Sequence, residues 1–182
     1  DPALELEPDK RWMAAVYGHV REESGIVIES IVDSLIKLRL YAEDTERHDL
    51  MADVDQLVKG LLENANGDRW LSLCGVLRQL AEASPDLFLS QLEASLRCAN
   101  PPVRALFSNG SNDAFTDPSY HVNLLWALEI LAWSPKHLAK VCDCLARLAD
   151  APVKSNMRNR PSNSLASVLR ACCREDRCRC HP

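Results

Sequence analysis

The feature that most constrains this chain is an internal repeat. Residues 77–88 and 128–138 share a Leu-x-x-Leu-Ala motif that is followed by a Ser-Pro step, at Ser84-Pro85 and Ser134-Pro135. The leucines of the two copies are 51 residues apart and the prolines 50. Each copy predicts an apolar helix, a corner and a second helix. Self-similarity at about 40 to 50 residues is typical of helical-repeat proteins, in which each unit buries its apolar face against the next.

Apolar residues recur at helical spacing along nearly the whole chain, and no segment shows the alternation expected of a strand. Helices are predicted at about 9–20, 26–42, 49–64, 69–82, 85–98, 118–133, 135–150 and 161–172. We therefore expect an all-α fold, with antiparallel helix pairs in a short, irregular HEAT-like α-solenoid. Residues 1–150 are predicted to form the helical-repeat domain, 151–172 a connector and terminal helix that pack on it, and 173–182 a disordered basic Cys-rich tail.

Local sequence predicts three further details. Ser84-Pro85-Asp86 has the composition of a helix start, with a hydroxyl to cap the first turn and an acid near the positive end of the helix dipole. Gly67, in the polar turn 64–68, is expected to adopt a positive φ. Residues 99–117 form the longest irregular stretch, which we expect to project from the surface as a loop.

The predicted helix at 118–133 is apolar on two faces. Such a helix is normally covered on both sides, so we expect it at the centre of the stack. The four tryptophans have helical spacings among leucines and are predicted to belong to the core rather than to form a stacking platform for nucleic-acid bases. They are Trp12, Trp70, Trp126 and Trp133.

The amino-acid composition limits the classes of partner that the chain is expected to bind. The longest apolar runs are too short to span a bilayer, so no membrane partner is expected. Residues 1–150 carry 14 Lys or Arg against 24 Asp or Glu, whereas residues 151–182 carry seven against two. Nucleic-acid binding would depend on the basic end alone and is not expected. The chain begins with Asp1 rather than Met, which suggests a fragment or a processed product.

Eight cysteines divide into two groups. Cys74, Cys98, Cys142 and Cys144 lie in helical patterns where a small apolar residue would serve, and four more crowd the last eleven residues. This is not the distribution of a disulfide-stapled secreted domain, so a reducing compartment, the cytoplasm, is predicted. Cys172, Cys178, Cys180 and His181 are candidate zinc ligands, although their spacing lacks the usual two-residue gap and an unstructured terminus with incidental thiols is the alternative. No cofactor is expected.

Asn159, Arg160, Asn163 and Ser164 form the polar string that most resembles a binding site. They precede or begin the last predicted helix, where free amides can bind an anion. The alternative is plain helix capping, with Arg160 paired to an acidic neighbour. His121 and His137 flank the predicted helices 118–133 and 135–150 and could converge across the Ser-Pro corner, but they are 16 residues apart and no carboxylate lies at a spacing typical of a catalytic pair. No hydrolase or metalloprotease motif is present, so an enzyme is not predicted.

Residues 124–169 carry a resemblance to a known family. The Leu-Leu-Trp-Ala-Leu-Glu helix, the Ala-Trp-Ser-Pro corner and the string Asn159-Arg160-Pro161-x-Asn163-Ser164-Leu165 resemble the helical C-terminal region of large bacterial ATP-binding proteins. Those proteins are similar to STAND-type sensor NTPases, some of which act in antiphage defence. Weaker similarity extends to Arg11-Trp12 and Arg21-Glu22-x-Ser24-Gly25. The Cys-rich end departs from the pattern, where an aromatic residue and a proline are expected.

The resemblance implies a repeat region that recognises a trigger or holds a neighbouring domain of the same polypeptide. This chain has no Gly-x-x-x-x-Gly-Lys-Ser/Thr phosphate loop, so the implied nucleotide chemistry would belong to another domain. The sequence thus favours a non-catalytic protein-binding or scaffolding segment. Two alternatives stay open: a stand-alone helical adaptor or effector that binds a partner protein, and a nucleic-acid or zinc-binding module acting through the tail.

Overall fold

A computed structural model describes residues 1–108, 119–150 and 159–179, with side chains up to residue 173. This part of the chain is helical and contains no strand, as predicted. The α-helices are α1 (Gly25–Asp44), α2 (His48–Leu62), α3 (Gly67–Ser72), α4 (Leu77–Ala83), α5 (Pro85–Arg97), α6 (Ala105–Ser108), α7 (Val122–Leu131), α8 (Pro135–Ala149) and α9 (Pro161–Arg179). Short 3₁₀ helices lie at Pro2–Glu5, Arg11–Met13 and Pro102–Arg104.

The helices pack as successive hairpins. Helix α1 contacts α2, α4 contacts α5, and α7 contacts α8. The first helices of these pairs also contact one another in the order α1, α4, α7, and the second helices do so in the order α2, α5, α8. Helix α9 then packs on α8 and α7. Both copies of the internal repeat fold as predicted, each as a helix, a Ser-Pro corner and a second helix.

The buried apolar side chains form one cluster that runs through these hairpins. Its largest fully buried members come from the six consecutive helices α3 to α8. They include Trp70, Leu77, Leu80, Phe88, Leu89, Leu92, Leu124, Leu125, Leu128 and Leu145. Burial of such side chains, at about 25 cal/mol per Å², is the main favourable term for folding.

Two predicted helices differ from the structure. Residues 9–20 form turns and one 3₁₀ helix rather than an α-helix. Gly18 has a φ of +79° and the His19 amide donates to the Ala14 carbonyl, a geometry that terminates a helical segment. The predicted helix 69–82 is divided between α3 and α4. The freed Cys74 carbonyl at this break accepts a hydrogen bond from the Asn123 side-chain amide at 3.0 Å.

The corner residue Ser84 does not cap α5 as predicted. Its hydroxyl instead donates to Asp55 Oδ1 of α2 at 2.5 Å, and the same oxygen accepts from Arg39 Nη1 of α1 at 2.9 Å. Ser84 is buried, so a tertiary partner replaces the local one. Asp55, whose place in the sequence is typical of a solvated helix face, therefore links the hairpin of α1 and α2 to the hairpin of α4 and α5.

Gly67 does not have a positive φ; that conformation is adopted by Glu46 and Asn64. Gly67 begins α3 and lies against α6, where an added Cβ would be 3.0 Å from the Ala105 Cβ. A close approach of two helices, rather than backbone conformation, explains this glycine. The same approach places short helices in the first part of the stretch that was predicted to be an irregular loop. Residues 109–117 of this stretch lie outside the described part of the chain.

Helix α9 continues past the predicted end at Cys172, to Arg179. Residues 173–179 are thus helical in the structure where a disordered tail was predicted, and residues 180–182 and most of the connector, 151–158, lie outside the described residues. Within the described ranges, none of the helices combines the length and the apolar character that a bilayer crossing requires.

Candidate functional site

A stripe of large apolar side chains is exposed on α7 and on the turn that follows it. Trp126 and Ile130 of α7 are 50% and 46% exposed, and Trp133, two residues past the end of α7, is 72% exposed. Residues at the spacing i, i+4 and i+7 share one face of a helix, and Ala132, which joins Leu131 to Trp133, keeps a right-handed helical backbone conformation. The opposite face of α7 is fully engaged in the core through Leu124, Leu128 and their neighbours. We refer to Trp126, Ile130 and Trp133 as the tryptophan stripe.

The stripe corrects two predictions. Helix α7 was expected to be covered on both apolar faces, but among the described elements it packs mainly on α4, α8 and α9, and the side chains of Trp126 and Ile130 on its other face are exposed. The tryptophans were all expected in the core, but only Trp70 is fully buried, whereas Trp12 is 58% exposed. Isolated apolar side chains on a surface are ordinary; two tryptophans and an isoleucine on one helix face form a contiguous patch of the kind found at interaction sites.

A groove of about 190 Å³ lies beside the stripe, where the end of α7 and the start of α8 meet α9. Its walls are mainly apolar and include Trp133, Pro135 and Leu138 on one side. Val168, Ala171 and Cys172 of α9 line the other side. Stripe and groove share Trp133, so they form one continuous surface.

Glu129 is the charged residue of this surface. It lies on α7 one turn from Trp126 and one turn from Trp133, is half-buried, and lines the groove. No hydrogen bond or ion pair joins it to any residue that the structure describes. The groove therefore combines apolar walls with one carboxylate that has no partner among the described residues.

The predicted polar site at the start of α9 is brought together, but its members have different environments. Asn159 and Asn163 are exposed, Arg160 is half-buried, and Ser164 is buried. The Arg160 carbonyl accepts from the Asn163 and Ser164 amides at 2.9 and 3.3 Å. Burial of Ser164 gives it a role in packing α9, and the anion site stays a prediction.

The predicted zinc ligands are only partly described. Cys172 lines the groove and lies close to Cys142 of α8, whose pKa is raised by burial and by the nearby Cys172 thiol. The Cys178 side chain, Cys180 and His181 lie outside the described residues. Within the residues that the structure does describe, no three His, Cys, Asp or Glu side chains are clustered as metal ligands. Cys142 and Cys144 are helical packing residues, as their spacing predicts, and burial raises the pKa of Cys144 to about 12.

His121, at the start of α7, and His137, in the first turn of α8, contact different residues. The His121 ring packs on Phe107, with 5.3 Å between ring centroids. His137 Nε2 lies 3.2 Å from Asp86 Oδ1, and Lys136 Nζ donates to Asp86 Oδ2 at 2.5 Å. The hydrogen bond from Lys136, followed by that from His137, holds the pKa of Asp86 below its usual value. This cluster links the two Ser-Pro corners of the repeat.

A second apolar surface lies on the first hairpin. Ile26, Val27 and Ile31 of α1 are 76%, 49% and 58% exposed, and Leu40 and Tyr41 are exposed further along the helix. Only Val32 and Ala42 of this 20-residue helix are buried. Helix α1 therefore presents an apolar face to solvent instead of the polar face that normally terminates a helical stack.

Comparisons with protein-family models, with curated proteins and with solved structures found no match to this chain.

Sequence reasoning missed this surface although its residues were visible. The spacing of Trp126, Ile130 and Trp133 shows that they share a face, but the face opposite is equally apolar. Glu129, the one charged residue of α7, indicates which face is open, since a carboxylate next to the stripe disfavours complete burial of that side.

Proposed function

We propose that this chain is a non-catalytic protein-recognition segment whose hairpins form a short HEAT-like stack. The observation that carries the proposal is the tryptophan stripe beside the groove between α7 and α9. Tryptophan is enriched at the centres of protein interfaces, where it supplies a large contact area and loses little conformational entropy. A helix that is anchored in the core on one side and apolar on the other is a rigid platform for such contacts.

The stack itself is supported by the order of helix contacts. First helices contact first helices and second helices contact second helices, and the two Ser-Pro corners are joined through Asp86. In helical-repeat proteins this arrangement leaves extended surfaces that bind partners.

Two observations support the proposal that this segment is part of a larger protein. One is the resemblance of residues 124–169 to the helical C-terminal region of bacterial STAND-type sensor NTPases. The other is the exposed apolar face of α1, which a neighbouring domain of the same polypeptide would cover. We place the segment in a cytoplasmic sensor protein with a role in antiphage defence, and assign the nucleotide chemistry to a domain other than this one.

A paired-variant binding experiment tests the recognition role. The chain is immobilised, exposed to lysate of the source cell, and the retained proteins are quantified by mass spectrometry. We expect the double variant Trp126→Ser/Trp133→Ser to lose the proteins that the wild type enriches, because it removes most of the apolar area of the stripe. Leu57→Ser is the matched control, since Leu57 is 54% exposed on α2, away from the stripe. Equal enrichment by the wild type and the double variant would reject the stripe as the recognition surface.

The gene provides an independent test of the setting. A reading frame that joins this segment to a domain with a Gly-x-x-x-x-Gly-Lys-Ser/Thr loop supports the sensor NTPase. A frame without such a domain rejects it and leaves the recognition role intact.

A further inference from the structure

The carboxylate of the groove identifies the chemistry of the partner. Glu129 is flanked along α7 by Trp126 and Trp133, each about one helical turn away, and it lines the apolar groove. Within the described residues it forms no ion pair or hydrogen bond. When a partner covers the groove, this carboxylate loses water, and that loss is unfavourable unless a hydrogen-bonded cation replaces the water.

The surroundings favour a cation as well. Indole rings attract an ammonium or guanidinium group placed over their faces. The formal net charge of the whole chain, −5, acts in the same direction over a longer range, although the basic residues of the chain are concentrated in its last 32 residues, which include α9. A Lys or Arg side chain satisfies the carboxylate and contacts the indoles with its methylene groups.

The same charges disfavour three other occupants. A second copy docked stripe to stripe about a two-fold axis would bury two Glu129 carboxylates in one interface, and the residues that line the groove include no Lys or Arg to pair with either. A membrane surface and a nucleic acid are both anionic, and neither would supply a cation to the Glu129 carboxylate in the groove.

The shape of the surface indicates a helical partner. Stripe positions i, i+4 and i+7 cover two turns, about 10 Å at 1.5 Å per residue, beside a groove bounded by helices. This is the geometry in which an amphipathic helix inserts anchor residues spaced at i, i+3, i+4 and i+7. The described residues offer no strand edge that an extended peptide would join.

We propose that the tryptophan stripe and its groove bind an amphipathic helix that sets one Lys or Arg on Glu129. This inference rests on the proposed recognition function and adds the chemistry of the partner to it. The apolar anchors of the partner supply most of the affinity, and the basic residue fixes the register of the helix on α7.

A random peptide library, displayed on phage and selected on the folded chain, tests this without knowledge of the natural partner. The wild type should enrich sequences that place Lys or Arg among apolar residues at helical spacing. The best peptide is then synthesised with its basic residue and with norleucine in that position. Both forms are titrated against the wild type and Glu129→Gln, and circular dichroism checks that the variant is folded.

We expect the norleucine peptide to bind the wild type about tenfold more weakly, as for a hydrogen bond to a charged group. Glu129→Gln should bind both peptides with the same reduced affinity, because the cycle removes one shared interaction. Additive effects of the two changes, or an unchanged preference for basic peptides on Glu129→Gln, would overturn the assignment to Glu129 while leaving the recognition function in place.

The tryptophan variants separate the two proposals. If Trp126→Ser/Trp133→Ser binds the selected peptide as tightly as the wild type does, the recognition surface itself is wrong. A wild-type selection that enriches no peptide overturns both. A wild-type chain that self-associates, and becomes monomeric in the double variant, assigns the stripe to a second copy and overturns the helical partner.

Discussion

At the scale of single residues, polar side chains connect one helix hairpin to the next. Asp55 accepts hydrogen bonds from Arg39 and Ser84, and Asp86 accepts from Lys136. Each link joins residues that are distant in sequence, so neither is visible as a local pattern. Ser84 shows why local sequence does not predict these links. Its position before Pro85 predicts that its hydroxyl caps α5, but the hydroxyl donates to the Asp55 carboxylate of another hairpin.

The Asp86 cluster predicts a pH dependence. Lys136 and His137 hold the folded-state pKa of Asp86 below its unfolded value of about 3.9. A depressed pKa contributes stability that is present above the unfolded pKa and is lost as the pH falls through the folded pKa. Asp86→Asn should therefore reduce the free energy of unfolding by at most about 1 kcal/mol near pH 6, because the pair is largely exposed, and this difference should shrink below pH 4.

Urea denaturation at several pH values measures this difference. Lys136→Met serves as the partner variant: combined with Asp86→Asn, it should add little to the loss at pH 6. A wild-type and variant difference that stays constant from pH 6 to pH 2.5 would show that Asp86 acts through packing rather than charge.

A second residue-scale prediction compares two glycines. An added Cβ at Gly67 would lie 3.0 Å from the Ala105 Cβ, whereas at Gly60, within α2, it would meet no atom within 4 Å. Gly67→Ala should lower the free energy of unfolding by about 1 to 3 kcal/mol through overpacking. Gly60→Ala should raise it by about 0.5 to 1 kcal/mol, because alanine reduces the entropy of the unfolded chain. Thermal melts of both variants test this; stabilisation by both would refute the close approach of α3 and α6.

At the scale of elements, the periodicity of apolar residues predicts where most helices lie but not which face is covered. The predicted helices correspond to α1, α2, α5, α7, α8 and α9 with shifts at their ends. The predicted helix 69–82 is instead broken between α3 and α4, where the Cys74 carbonyl accepts a hydrogen bond from the distant Asn123 side chain. On α7 both faces are apolar, so only the positions of α4, α8 and α9 distinguish the core from the stripe.

Because one face of α7 is buried and the other exposed, substitution by aspartate should have opposite outcomes at two positions of this helix. Leu128 is fully buried, so Leu128→Asp buries an unpaired charge and should cost at least about 4 kcal/mol, enough to unfold the chain. Ile130→Asp, two residues further along, replaces a side chain that is 46% exposed and should cost less than about 1 kcal/mol. Circular dichroism melts compare the two. If Ile130→Asp also unfolds the chain, the stripe belongs to the core.

At the scale of the whole molecule, the internal repeat predicts the all-helical architecture and its successive hairpins. It does not predict which surfaces remain open, because that depends on helices far apart in sequence. The candidate site shows this directly. The polar string at 159–164 and the Cys-rich end attract attention as sequence, whereas the groove is assembled from α7, α8 and α9 through Trp133, Leu138 and Val168.

The most direct test of the recognition surface is site-specific photo-crosslinking in the source cell. A photoreactive phenylalanine analogue replaces Trp133 in one variant and Leu57 in the control, so both probes are exposed but only one lies on the stripe. We expect a discrete crosslinked protein at position 133 and none at position 57, with a Lys or Arg in the crosslinked segment. No adduct at position 133, or the same adducts at both positions, would contradict it.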